Sequence, residues 1–309
     1  MLKTPSKPMK LPLNKSPRFC TDSGAKVHDA HLSYDEPSSF SLGFQVAISR
    51  IISQIMRKYP KLNSLAWNMI LRGYGLPLLS RLVAFGSGFT VAADTQLGLV
   101  RFRPVFVNEI LMALGLYEPH TKEVFKAGKG QTVLDIGANI GFYTLRASRQ
   151  VGPTGKVISV EANPQTFQIL RANVIENCSA NTLALCCAVG AENGLSYLYV
   201  PSNYPAGSTL IHSEANSLAP QAKVPVTTVD SLVSMLGIKR VDWMKIDVEG
   251  METAVIAGCK NVIRDHKPKI MIETMNNDLI QYFRENGYSV FPVRGVIGLV
   301  YAYPVLLSS

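Results

Sequence analysis

From residue 131 onward the chain alternates short apolar runs with amphipathic stretches, and this alternation narrows the fold more than any other feature. TVLDIG, KVISVEANP, TLALCCAVG, VDWMKIDVEG and KIMIET are nearly continuous in apolar residues, as strands covered on both faces must be. Between and after them, FYTLRASRQV, TFQILRANVIENC, TAVIAGCKNVI and DLIQYFRENG carry apolar residues at helical spacing. Strand and helix in alternation predict an α/β fold with a doubly wound, mostly parallel sheet, and YSVFPV with GLVYAY adds a terminal hairpin for seven strands. Residues 191–230 interrupt the alternation as an insertion, with SYLYV and KVPVTTV expected as strands around the loop NYPAGSTLIHS. A loop of that length at a sheet edge is expected to bind something.

The first third reads differently. Residues 1–40 are rich in Pro, Ser and Lys without apolar periodicity, which predicts a flexible basic tail. From Ser41, the residues Phe44, Ile48, Ile51, Ile52, Ile55 and Met56 fall on one helical face, and Trp67 to Phe85 reads as helix broken near Gly73, Gly75 and Pro77. GFTVAADTQLGLVRFRP predicts two strands joined by a turn at Asp94, and FVNEILMALGLYEPHTKEVFKAG one or two helices. Residues 41–118 are therefore expected as a mainly helical N-terminal extension, and 119–309 as the α/β domain. Net charge is +8 over residues 1–128 and +1 over residues 129–309, so the basic excess belongs to the extension. It suits a solvated tail, or peripheral contact with an anionic membrane surface, glycolipid or nucleic acid.

No stretch approaches the roughly 18 apolar residues of a membrane span, and the Lys- and Pro-rich start lacks a signal-peptide core, so a cytoplasmic location is expected. The five cysteines form no CxxC pair and the five histidines are scattered, which predicts reduced thiols and no Cys/His metal site.

VLDIGANIGFYT, residues 133–144, breaks from strand into two glycines where a helix should begin. Gly137 and Gly141 allow a tight turn against a ligand, and the helix start offers free N–H groups. The dinucleotide pattern G-x-G-x-x-G fails, because residues 139 and 142 are Asn139 and Phe142. Asp135 would repel a pyrophosphate but pair with an ammonium group, and Glu161, closing the second strand, is placed to hold both hydroxyls of a ribose. S-adenosylmethionine carries both groups.

VLDIGANIGFYTLRA, GKVISVEANP, LRANV, TTVDSL and above all MKIDVEGME resemble the FkbM-type methyltransferases over roughly residues 115–300. The resemblance implies a Rossmann-like class I methyltransferase fold with S-adenosylmethionine as the methyl donor. It places Asp135, Gly137, Ala138, Asn139 and Gly141 at the methionyl end, Glu161 with Ala162 at the ribose, and Ala188 and Val189 at the adenine. Residue 162 is Ala where the family often has Pro, outside the ribose contact. The family supplies the oxygen acceptor, so O-methylation of a small molecule, sugar or lipid-linked glycan is expected.

In MKIDVEGME, Lys245 and Asp247 point to one strand face and Ile246 to the other. Asp247 and Glu249 are the expected catalytic acids, Asp247 orienting a ligand and Glu249 taking a hydroxyl proton; Glu249 and Glu252 could instead charge the next helix N-terminus. Glu273 is a third acid on the same rim, and the three could hold a hard cation, although none is expected. Ser208, Thr209 and His212 in the insertion should face the acceptor, as should one of Tyr197 and Tyr199. Nucleic acid is not the expected partner, because the basic extension lacks interleaved aromatics. The competing functions are an RNA ribose methyltransferase, a non-catalytic donor-binding scaffold and an NAD-dependent oxidoreductase. The oligomeric state is not legible.

Overall fold

The computed structural model describes residues 90–304 apart from 104–105, 114, 116, 178, 202–206, 212–220 and 294–297. The tail of residues 1–40, the amphipathic stretch after Ser41, the Trp67–Phe85 segment and His212 lie outside the described residues.

In chain order the elements are β1 (Val91–Thr95), β2 (Gly98–Phe102), α1 (Val107–Ala113), α2 (Thr121–Val124), β3 (Thr132–Ile136), α3 (Phe142–Val151), β4 (Lys156–Glu161) and α4 (Pro164–Glu176). They continue as β5 (Thr182–Cys186), β6 (Ala188–Val189), β7 (Gly194–Leu198), β8 (Ala222–Thr227), α5 (Val229–Met235), β9 (Trp243–Ile246), α6 (Glu252–Ala257) and α7 (Lys260–His266). The last are β10 (Lys269–Glu273), α8 (Asn277–Glu285), β11 (Tyr288–Pro292) and β12 (Leu299–Pro304).

A seven-stranded sheet runs in the order β11, β12, β10, β9, β3, β4, β5. The pairs from β10 through β5 are parallel, while β12 is antiparallel to both β10 and β11. Alternate residues feed two separate cores. Leu134, Ile136, Met244, Ile246, Ile270 and Ile272 pack into one, and Val133, Val157, Trp243 and Met271 into the other. Burial on both faces is what the continuous apolar runs required.

Three local expectations change. TLALCCAVG is two strands: β5 closes the sheet edge, and beyond Cys187 the chain leaves the sheet so that β6 pairs in parallel with β8 in a small sheet of order β6, β8, β7. TAVIAGCKNVI is two helices, because the Asp230 carboxylate accepts from the N–H groups of Asn261 (3.0 Å) and Val262 (2.9 Å) and starts α7 afresh. The β1–β2 turn falls at Gln96 and Leu97, with Asp94 paired inside the ladder opposite Leu99.

Asn173, fully buried on α4, fastens that hairpin to the sheet domain. Its amide donates to the carbonyls of Arg101 (2.9 Å) and Ile140 (2.7 Å) and accepts from Arg101 N–H at 2.6 Å. Asn173→Ala strands these backbone groups, so we expect it to cost about 2–4 kcal/mol in urea unfolding, summed over bonds of about 1 kcal/mol each and the desolvation left behind.

Candidate active site

Strand order reverses at β3, whose neighbours β4 and β9 lie on opposite sides, and ligands of open α/β sheets sit beyond the carboxyl ends of strands at such a point. A cavity of about 230 Å³ opens there. The ends of β3, β4, β9 and β10 contribute Gly137, Glu161, Asp247 and Glu273 to its wall. Among the described residues four non-glycines have positive φ, and three of them, Glu118, Asn139 and Glu249, line this cavity. Left-handed backbone outside glycine is costly and gathers at functional sites.

The glycine turn is shaped as much by the protein as by any ligand. Gly137 has φ +75°, and a Cβ there would sit 1.7 Å from the Asp247 carbonyl oxygen, so β3 and β9 can converge only through a residue without a side chain. Gly141, at φ +98°, caps α3 and faces Leu170 of α4. Asn139, at φ 51°, directs its N–H to Glu161 Oε2 at 2.9 Å, while Asn163 N–H donates to Glu161 Oε1 at 2.8 Å. Both carboxylate oxygens are thus fixed by backbone donors. Burial raises the Glu161 pKa, and these two bonds oppose the shift. Asn139 Oδ1 is a buried acceptor on the cavity wall without a protein partner.

Below the wall lies a polar row that crosses the sheet. Asp135, Lys245 and Ser159 are register neighbours on β3, β9 and β4. Lys245 Nζ donates to the Gly137 carbonyl at 2.9 Å and to Asp247 Oδ2 at 3.1 Å, and lies 3.9 Å from Asp135 Oδ1. Thr144 Oγ1 on α3 joins Asp135 Oδ2 (2.6 Å) and Ser159 Oγ (2.8 Å). Burial alone would lower the Lys245 pKa, but Asp247 and Asp135 outweigh it and hold the ammonium above the usual lysine range. In the next turn, Glu252 reaches back to the backbone, accepting from Val248 (3.4 Å) and Gly250 (3.3 Å).

The wall is acidic. Glu118, Glu161, Asp247, Glu249 and Glu273 line the cavity, and among the described lining residues there is no Lys or Arg. Tyr143 donates its hydroxyl to Glu118, whose pKa burial raises. Glu273 is pushed up to about 8, first by desolvation and then by the facing charges of Asp247, Glu249 and Glu118. A carboxyl with a folded-state pKa above its unfolded value favours the fold while protonated and disfavours it once ionised. Wild-type stability should therefore fall as pH rises from about 4.5 through 8, and Glu273→Gln should flatten that decline. Because the Glu273 side chain is exposed at the rim, the difference stays below about 1 kcal/mol, readable as unfolding midpoints at about pH 4.5 and pH 9.

Of the residues singled out from sequence, Gly137, Asn139, Glu161, Ala162, Ala188, Val189, Asp247 and Glu249 line one cavity. Asp135, Ala138 and Gly141 lie behind its wall; the ammonium group facing Asp135 is the chain's own Lys245. Ser208 lines the cavity and accepts from Asn163 Nδ2 at 3.2 Å, while Thr209 bridges to Tyr199, which is buried, and Tyr197 is exposed. Among the described residues no group of three or more His, Cys, Asp or Glu side chains is spaced to hold a metal ion. Sequence reasoning missed Asn108, Met112, Tyr117 and Glu118, which reach the cavity from the segment before β3. No motif marks them; a boundary drawn after residue 118 even separates Glu118 from the site it lines.

Comparison with known proteins bears on the same residues. Methyltransferase sdnD of Sordaria araneosa is 26% identical over 188 residues, covering 52% of this chain and 72% of that protein. Methyltransferase 1 of Beauveria bassiana is 28% identical over 158 residues, covering 46% of this chain and 63% of the relative. Among solved structures, methyltransferase FkbM from Methylobacillus flagellatus superposes with a TM-score of 0.43 at 16% identity, over 63% of this chain and 52% of the other, so this chain spans about half of that protein. The methyltransferase FkbM domain model matches residues 135–290, from the buried aspartate of β3 to β11, and with half of its length in that match the chain belongs to the FkbM methyltransferase family.

Proposed function

We propose that the chain transfers a methyl group from S-adenosylmethionine to a hydroxyl of a small molecule, sugar or glycolipid. Glu161 carries the donor assignment. Its carboxylate lies in the cavity at the end of β4, oriented by the N–H groups of Asn139 and Asn163, which suits a bidentate contact with two ribose hydroxyls. The unpartnered Asn139 Oδ1 offers an acceptor to a polar ligand group, and Val160, Ala188, Val189 and Leu198 form an apolar wall suited to adenine. Gly137 and Asp247 line the neighbouring side, for the donor's amino-acid end. Bound there, the donor supplies an electrophilic methyl group on a cationic sulfur.

The protein's tasks are then to hold the acceptor oxygen in line, exclude water and receive a proton. Glu249, lining the cavity from a left-handed turn, is the proposed proton acceptor, and Asp247, held through Oδ2, orients the ligand. Glu273, raised to about 8 by desolvation and the facing carboxylates, is the proposed hydrogen-bond donor there rather than a base. The acidic lining argues against a phosphate-rich acceptor such as RNA, whose backbone would meet carboxylates.

Titration calorimetry with S-adenosylmethionine, S-adenosylhomocysteine and NADH tests the donor. Micromolar binding of the sulfur compounds and none of NADH is expected, followed by label transfer from methyl-labelled donor to members of a hydroxylated panel. A folded protein that binds neither sulfur compound overturns the proposal. Donor binding with transfer only to RNA overturns the acceptor class.

A further inference from the structure

We infer that Lys245 is the positioning residue of this site, locking the glycine turn and the Asp247 carboxylate into the arrangement that receives the donor. The inference rests on the donor assignment above. Lys245 is 4% exposed and is not among the residues that line the cavity, so it is placed to act through its neighbours. Both groups to which it donates, the Gly137 carbonyl and Asp247 Oδ2, belong to residues that do line the wall. One ammonium therefore bridges the end of β3 to the end of β9 at the point where the strand order reverses.

Two features set this role apart from plain charge burial. The bond to Gly137 falls on the turn whose φ of +75° brings it against the Asp247 backbone, so the same two residues are joined by contact and through Nζ. Second, the ammonium is fixed from the other sides: Asp135 Oδ1, with no hydrogen-bond donor of its own, faces it at 3.9 Å, and the Tyr143 ring covers it with Nζ 5.2 Å from the centroid. Thr144, itself paired with Ser159, holds the other Asp135 oxygen. Asp135 thus anchors Lys245, and Lys245 sets Gly137 and Asp247. A lysine that served stability alone would be dispensable once its buried counter-charge was removed, whereas a positioning lysine would not.

The test compares Lys245→Met with the double variant Asp135→Asn/Lys245→Met, reading thermal midpoint and calorimetric affinity for S-adenosylmethionine and S-adenosylhomocysteine. Lys245→Met should lose both stability and affinity, since it leaves Asp135 buried without a counter-ion. The double variant should regain most of the midpoint while binding both compounds at least tenfold more weakly than wild type. Should the single variant fail to fold, the double variant carries the comparison. Recovery of wild-type affinity together with stability, or a folded Lys245→Met that binds within twofold of wild type, overturns the inference. Wild type that binds neither compound overturns the donor assignment instead, and the amide resonance of Gly137 then reads the inference: unshifted in the folded double variant, it overturns it; displaced, it supports it.

Discussion

Glu161→Ala is expected to weaken S-adenosylmethionine binding by at least a hundredfold while leaving a folded protein. Two hydrogen bonds from ribose hydroxyls to an ionised carboxylate contribute about 1.5–3 kcal/mol each, so losing both removes about 3–6 kcal/mol, two to four powers of ten in affinity. The backbone donors of Asn139 and Asn163 lose their acceptor too. Asn139 lines a cavity that water can enter whereas Asn163 is buried, so the stability cost is about 1–3 kcal/mol. Calorimetry together with urea unfolding separates the two effects. Affinity within threefold of wild type would remove Glu161 from the ribose contact, whatever the stability.

Gly137→Ala should be more damaging to the fold than any other single change at the site. The added carbon would lie 1.7 Å from the Asp247 carbonyl oxygen and 2.8 Å from its carbonyl carbon, and these are backbone atoms that no rotamer change can move aside. Relief requires either β9 to part from β3, which breaks the Asp247 N–H to Ile136 bond (3.1 Å), or the glycine turn to shift against β4, which disturbs the Gly137 N–H to Val160 bond (2.9 Å). Left-handed backbone adds about 1–2 kcal/mol for a residue with a side chain. A total beyond about 4 kcal/mol is expected, a large share of the 5–15 kcal/mol available to a typical protein. Gly141→Ala is the control: its added carbon meets Leu170 Cδ1 at 2.8 Å, a side-chain tip that can turn away. Equal unfolding midpoints for the two variants would refute this account of Gly137.

The sequence and the structure place the chemistry of this turn differently in one respect. From sequence, Asp135 and the glycines appear as one ligand-binding unit. Folded, they divide: Gly137 and Asn139 reach the cavity, whereas Asp135 turns inward to Lys245 and Gly141 toward α4. A two-residue period says which residues share a strand face but not what covers that face, and here α3 covers it with Tyr143 and Thr144.

What the sequence determined alone was everything that depends on local pattern: the strand and helix alternation, the break after β3, the acid closing β4 and the KIDVEG segment of β9. Local pattern suffices there because apolar periodicity and glycine each act over a few residues. Tertiary structure alone decided what depends on register between distant strands. It set Lys245 beside Asp135, 110 positions away in the chain, and turned Cys187 out of the sheet so that β6 joins β8. It also carried Glu118 from a segment without a motif to the rim where Asp247, Glu249 and Glu273 gather; the desolvation and the repulsion that lift Glu273 exist only once four strand ends and a loop share one cavity.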